Sequence, residues 1–284
     1  MIVMDINYYS PKNKLSVRSL TTIAGVLQSD IYEVLREAER LETMRRFKEN
    51  VSFLNGQNIL FYTENPTGPM RLSFEIAVRS VGGNSIVMPA ASDPEDFNEN
   101  LSVAALSDVA AIFIDKQGVF GYANKLPQNK PVFNLTGIDN PVSVLSVLFV
   151  LKKRFGYLKD LKVAIKDRSN LILALSKCEA DIVYLTDEVN GIAENDVKYL
   201  SQFCPVNVGI IGAKGLKAAA KDPLAILSVD PVDLDEVDSV ADGKPDFALY
   251  YPLEKSDKNY DVTKDCTLAL ADILRAILNL TVNS

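Results

Sequence analysis

Short apolar runs of strand length alternate with amphipathic helical patterns along almost the whole chain of 284 residues. No other feature restricts the fold as strongly. The strand candidates are 58–63, 85–88, 110–114, 132–135, 162–165, 181–185, 206–210 and 247–250. They are rich in β-branched residues and bounded by turn residues, as parallel strands buried on both faces are. Between them the apolar spacing predicts helices. Ser29-Asp30 is placed to cap a helix running to about residue 46, with Ile31, Leu35, Ala38 and Leu41 on one face. Further helices are expected over 69–81, 100–106, 141–155, 170–178, 194–203, 213–220, 233–240 and 263–280. Strand–helix alternation of this kind means an α/β architecture with right-handed crossovers.

The length suits two ordinary domains. The expected join is the helix at 141–155 and the loop at 156–160. It gives a first domain over 1–140, a second over 141–262 and a last helix, 263–284, docking back on the first domain. A hydrophobic share of 48% and a charged share of 24% are globular values.

Thirty Lys and Arg against 37 Asp and Glu leave a net charge of −7, which gives nucleic-acid binding little electrostatic support. The first residues, MIVMDINYYSPKNK, lack the charged-then-apolar order of a signal peptide. The longest apolar stretch, 142–151, is about half a membrane span. A soluble cytoplasmic protein without a membrane partner is expected. Cys178, Cys204 and Cys266 form no CxxC pair, which speaks against zinc and a disulfide framework and for buried thiols. Histidine is absent altogether, which removes a Ser–His–Asp triad, a His base and every His metal site. The Gly-rich run GIIGAKGLK at 209–217 has neither GxGxxG spacing nor a GK[ST] ending, so it reads as a strand-to-helix connection. The acidic run 230–243 reads as a solvated helix face.

The segment ENPTGPMRLSFE, 64–75, is a turn running straight into a helical pattern. Such a junction is where anions bind, because free N–H groups meet the positive end of the helix dipole. Here the junction is filled by Thr67, Gly68, Pro69 and Met70 before Arg71. A phosphate dianion needs several convergent donors, and Pro69 lacks even a backbone N–H. Proline in the first turn still favours the helix itself.

Residues 58–83, NILFYTENPTGPMRLSFEIAVRSVGG, resemble the aspartate/ornithine carbamoyltransferase family. That family has a strand, then Ser-Thr-Arg-Thr-Arg, then a helix beginning x-Ser-Phe-Glu and ending in Gly-Gly. Arg71, Ser73, Phe74, Glu75, Gly82 and Gly83 match. TGIDNPVSVLSVL is similar to the family's His-Pro-x-Gln segment and its helix, with Pro141 in register. LKDLKVAIKDRSNLILAL resembles the strand and Gly-Asp-x-x-Asn turn that open the second domain, with Asp167 and Asn170 in place. YYPLEK resembles His-Pro-Leu-Pro-Arg. The fragments run in the family's order over nearly the whole chain.

The resemblance implies two doubly wound parallel-sheet domains joined by inter-domain helices. One domain binds carbamoyl phosphate and the other the amino-acid amine. The family forms trimers with shared active sites, and the transfer uses no metal or organic cofactor. Catalysis is by positioning and oxyanion-type stabilisation from Arg, Lys, Thr hydroxyls and a His.

The positions that the resemblance makes chemical are altered. Ser-Thr-Arg-Thr-Arg has become Thr67, Gly68, Pro69, Met70, Arg71. Arg71 fits either an ion pair with Glu75, four residues on, or a residual anion contact. The family's His is Asn140 and its Gln is Ser143; Asn140 fits either a donor to a carbonyl oxygen or a helix N-cap. A family Arg that reaches the carbamoyl group is replaced by Asp115, which would repel an anion in a low dielectric. The stretch that supplies Ser and Lys to the neighbouring subunit corresponds to 90–101, with Asp93, Glu95, Asp96 and Glu99 and no cation. On the amine side stand Asp167, Asn170, Tyr251, Pro252 and Leu253, with Lys255 at best replacing an Arg. The expectation is a catalytically inactive family member acting as a structural or regulatory subunit, in a homotrimer or a hetero-oligomer with an active paralogue. The alternatives are a transferase with altered donor or acceptor, and a sensor whose inter-domain cleft holds a small anionic or amino-acid ligand.

Overall fold

The structure, a computed structural model, describes residues 14–120, 126–137, 139–166, 169–186, 208–212, 225–228, 247–250 and 260–282. The helices expected over 194–203, 213–220 and 233–240 lie outside the described residues. The chain divides into one unit comprising Met1–Phe149 and Thr267–Ser284, and a second comprising Val150–Cys266.

In the first unit the chain runs α1 (Gln28–Arg46), β1 (Asn58–Thr63), α2 (Pro69–Arg79), β2 (Asn84–Pro89), α3 (Pro94–Leu106), β3 (Ala111–Asp115) and β4 (Val132–Asn134). The helix α4 (Pro141–Phe155) follows, and the unit boundary falls inside it. The sheet has the order β2-β1-β3-β4, with every pair parallel. The connection after β1 runs to β2 on one side, and the connection after β3 runs to β4 on the other. A crevice at the carboxyl ends of the strands between β1 and β3 is the usual ligand position in such a sheet.

The two faces of this sheet are sorted by residue parity, because successive strand side chains point to opposite sides. Phe61, Phe113 and Phe133 share one face with Phe74 of α2. The Phe74 ring lies 5.0 Å from Phe61 and 5.2 Å from Phe113, and Phe113 stacks on Phe133 at 4.6 Å. The residues between them, Leu60, Tyr62, Ile112, Ile114 and Val132, face Phe97, Leu101 and Ala104 of α3.

The second unit holds β5 (Lys162–Lys166), α5 (Ser169–Lys177), β6 (Asp181–Thr186), β7 (Val208–Gly212), β8 (Ala225–Ser228) and β9 (Phe247–Tyr250). Its sheet is again parallel, in the order β7-β6-β5-β8-β9. The sequence pattern did not mark β8, a four-residue run that nevertheless lies between β5 and β9. Its pairing with β5 and β9 identifies it as a strand.

The last described helix, α6 (Tyr260–Thr281), enters the first unit at Thr267. Its buried Arg275 pairs with Asp272 and donates to the Ser80 hydroxyl at 2.6 Å. Arg45 of α1 reaches Asp272 at 3.2 Å, and Asn279 donates to Glu37 of α1 at 2.6 Å. Burial pushes the Asp272 carboxyl up, against the pull of Arg275 and Arg45. Burial likewise pulls the Arg275 guanidinium down, against Asp272.

Two helix starts differ from expectation. Helix α1 begins after Leu27 rather than at Ser29-Asp30, and Asp30 reaches back from the third helical position to accept the Leu27 N–H at 3.2 Å. Helix α3 begins at Pro94, six residues before the expected start at 100, because Asp93 caps it by accepting from the N–H groups of Glu95 and Asp96. Gly82, with φ of +82°, carries the chain from α2 to β2; a side chain there would collide with the Ser52 hydroxyl.

Replacing Phe74 by Ala should cost about 3–5 kcal/mol, because the emptied space lies between rings of the core. Urea unfolding checks this, and a midpoint within error of the parent would contradict the central place given to the ring.

Candidate functional site

The crevice between β1 and β3 is framed by the turn entering α2, the end of β3 and the start of α4. Thr63 and Asp115 end their strands as register partners. The Thr63 hydroxyl donates to Asp115 Oδ2 at 2.9 Å and accepts the Asn65 N–H at 2.9 Å. The carboxylate of Asp115 is therefore held at the edge where an anion-binding crevice needs positive charge. Burial pushes the Asp115 carboxyl above its ordinary range, the Thr63 hydrogen bond opposes that shift, and the charge of Glu64 adds to it.

At the α2 mouth two backbone donors are directed into the turn. The Gly68 N–H goes to the Asn65 carbonyl at 3.1 Å, Pro69 has no N–H, and the Arg71 N–H returns to the Gly68 carbonyl at 3.2 Å. Gly68 is the N-cap and supplies no side-chain cap. A Cβ at Gly68 would stand 2.7 Å from Asn65 Nδ2, so the hydroxyl side chain that the resemblance puts here requires the exposed Asn65 amide to move aside. Thr67 is exposed and donates to Asn65 Oδ1 at 3.3 Å. Met70 is half-buried.

Of the two roles open to Arg71, the structure forms the ion pair. Its Nε donates to Glu75 Oε1 at 2.7 Å and its Nη1 to the Pro66 carbonyl at 2.8 Å, folding the guanidinium onto its own helix and turn. Arg79 approaches the other Glu75 oxygen at 3.5 Å.

Asn140 likewise forms the cap. It is buried, its Oδ1 accepts the Ser143 N–H at 2.9 Å, and its Nδ2 donates to the Gly137 carbonyl at 2.6 Å and to Ser143 Oγ at 2.9 Å. Both amide hydrogens are committed to starting α4, so the group is not presented to a substrate carbonyl.

Asp115, Thr67, Gly68, Pro69, Met70, Arg71, Asn140 and Ser143 all belong to the first unit. Asn170 is half-buried in the first turn of α5, in the second. Asp167, Tyr251, Pro252 and Leu253 lie outside the described residues. The acidic stretch 90–101, expected as a loop, is mostly helix. Asp93 is its cap, and Glu95 and Asp96 stand in the first turn, where the helix dipole favours them. Among the described residues no group of His, Cys, Asp and Glu is placed to hold a metal ion. No helix among them is long and apolar enough to cross a membrane.

Sequence reasoning missed Lys116. It is 8% exposed, and its Nζ lies 3.3 Å from Glu64 Oε1 and 5.5 Å from the Phe97 ring centre. It follows Asp115 directly, yet Phe97 belongs to α3, on the other face of the sheet. The signal was strand parity: a position one residue past Asp115 points away from α2.

No family model matches the chain. The aspartate carbamoyltransferase catalytic subunit of Methanococcus maripaludis strain C7 is 27% identical over 191 residues, 64% of this chain and 63% of that protein. The match to the catalytic subunit from Ignicoccus hospitalis is 24% identical over 271 residues, 84% of this chain and 88% of that one. Among solved structures, ornithine carbamoyltransferase from Pyrococcus furiosus superposes with a TM-score of 0.79 at 19% identity, over 95% of this chain and 98% of its own. The catalytic subunit of M. jannaschii aspartate transcarbamoylase gives 0.74 at 20% identity, over 93% and 98%. The fold of this chain is thus the one seen in those carbamoyltransferase structures.

Asp115 yields a pH prediction. A carboxyl with a raised folded-state pKa contributes stability at acid pH that is lost as pH rises from the ordinary carboxylate value through the raised one. Asp115→Asn cannot lose a proton and still accepts from Thr63. Its stability relative to the parent should rise across that window and level off above it. Urea midpoints at a series of pH values read this directly, and parallel curves would contradict it. Asn140→Ala should cost about 1–2 kcal/mol by loss of the α4 cap. A midpoint unchanged from the parent would show that the cap is dispensable.

Proposed function

We propose that this chain, a divergent member of the aspartate/ornithine carbamoyltransferase family, keeps the family scaffold and acts by binding, as a structural or regulatory subunit, without transferring a carbamoyl group. The observation that carries the reading is the state of the α2 mouth. Its guanidinium is closed on Glu75 and Pro66, the N–H groups of Gly68 and Arg71 are turned inward, and the β3 end facing it carries the Asp115 carboxylate. A phosphate dianion seated there would meet a like charge and would have to break Arg71 from its partners. The Asn140 amide, spent on the α4 cap, is a second and separate loss.

The related proteins from M. maripaludis and I. hospitalis are named as catalytic subunits, which is the specific ground for the competing reading of an active transferase. The matched stretch is 63% of the M. maripaludis protein's length, so its activity is not carried over by likeness alone.

Association has its own support. Strand β2 is the edge of its sheet, and α2 packs beside it. Leu72 and Ile76, four residues apart on α2, are 59% and 45% exposed, and on the α3 face of the same edge Ile86 and Met88 of β2 are also exposed. An apolar edge of this kind is normally covered by another subunit. A trimer, or a mixed oligomer with an intact carbamoyltransferase, covers it.

Incubation with carbamoyl phosphate and either aspartate or ornithine should yield no carbamoyl product above a protein-free control. Product formation in proportion to protein would overturn the inactive reading. Native mass spectrometry should show an oligomer, and Leu72→Glu with Ile76→Glu should reduce it to monomer. A parent protein that is monomeric throughout would remove the subunit role.

A further inference from the structure

We propose that the cavity between α3 and the segment following β3 is a binding site for a small amphipathic carboxylate, with the Lys116 ammonium as its anchor. The cavity measures about 390 Å³ and has Phe97, Leu101, Val119 and Leu126 among its apolar walls, with Ser92, Asn98, Gln117 and Lys116 supplying polarity. It lies on the α3 face of the sheet, behind the α2 mouth, and does not rest on the reading given to that mouth.

Lys116 is the unusual part of this lining. Its ammonium is nine-tenths buried and has three hydrogens to give. Its contacts are long: Glu64 Oε1 at 3.3 Å, the Ser92 carbonyl at 3.5 Å and the Phe97 ring at 5.5 Å. Glu64 is 44% exposed and also accepts the Gln117 N–H at 3.2 Å, so its carboxylate is shared between backbone and ammonium. A buried cation held by loose contacts gains most from a close acceptor in a dry site. The cavity supplies the space for one.

The walls decide what carries the acceptor. Four apolar side chains match an aromatic or branched aliphatic body, and the single cation matches one carboxylate. An inorganic phosphate would leave those apolar walls uncovered. A ligand the size of phenylacetate fits the volume with room for a few waters.

Phenylacetate and its neutral isostere phenylacetamide are titrated into the full-length protein, with affinity read by calorimetry and position by methyl NMR. Phenylacetate should bind saturably and at least about tenfold more tightly than the amide, since a charge-assisted bond replaces a neutral one. The methyl signals of Leu101, Val119 and Leu126 should move. Lys116→Met should weaken phenylacetate by about tenfold and leave the amide unchanged. Absence of saturable binding, equal affinity for acid and amide, or shifts confined to Leu72 at the α2 mouth would each overturn the proposal. Should Lys116→Met fail to fold, the acid-against-amide comparison on the unaltered chain decides alone.

Discussion

The Phe74 ring, seated between Phe61 and Phe113, sets the geometry of everything around the crevice. It fixes α2 against one face of the parallel sheet, and through α2 it fixes the place where the chain must turn after β1. The turn has little freedom left. Asn65 accepts the Gly68 N–H, and the space beside Gly68 is filled by the Asn65 side chain. Helix α2 therefore starts at a junction where the Arg71 side chain and the Gly68 N–H are already engaged within the chain.

Parity in β1 and β3 then separates the charges. Thr63 and Asp115 end on the α2 side, while Lys116 reaches the α3 side with Phe97 beside it. A cation one residue away from the crevice is thus no compensation for the carboxylate inside it. Asp115 is partnered by Thr63 and Lys116 by Glu64, which is how a domain of ordinary stability tolerates charge at a sheet edge. The same rule explains Asn140, whose amide completes the first turn of α4.

Most of the architecture was legible in the sequence because parallel strands and amphipathic helices write distinct periods. Strands β1 and β9 and helix α4 have the residue limits that the pattern predicts. The pattern misses β8, although β9 is no longer, and its place between β5 and β9 identifies it as a strand. The start of α3 was hidden because 90–101 was matched to a stretch that reaches a neighbouring subunit, whereas Asp93 is a cap and Glu95 and Asp96 answer the helix dipole. Residue types at the crevice could be listed from sequence, but not their commitments. That Arg71 folds onto Pro66 and that Asn140 spends both amide hydrogens are facts of geometry. Lys116 escaped notice because its importance arises from burial under α3, which is a property of packing.

Calorimetric titration of the full-length protein with carbamoyl phosphate, repeated with a bisubstrate analogue carrying both the phosphonate and the amino-acid ends, addresses the occupied state of the crevice itself. A closed α2 mouth predicts no saturable heat for either compound. Stoichiometric binding of either one, lost in Arg71→Ala, would mean that the guanidinium leaves Glu75 to grip an anion, and the account of a silenced site would fail.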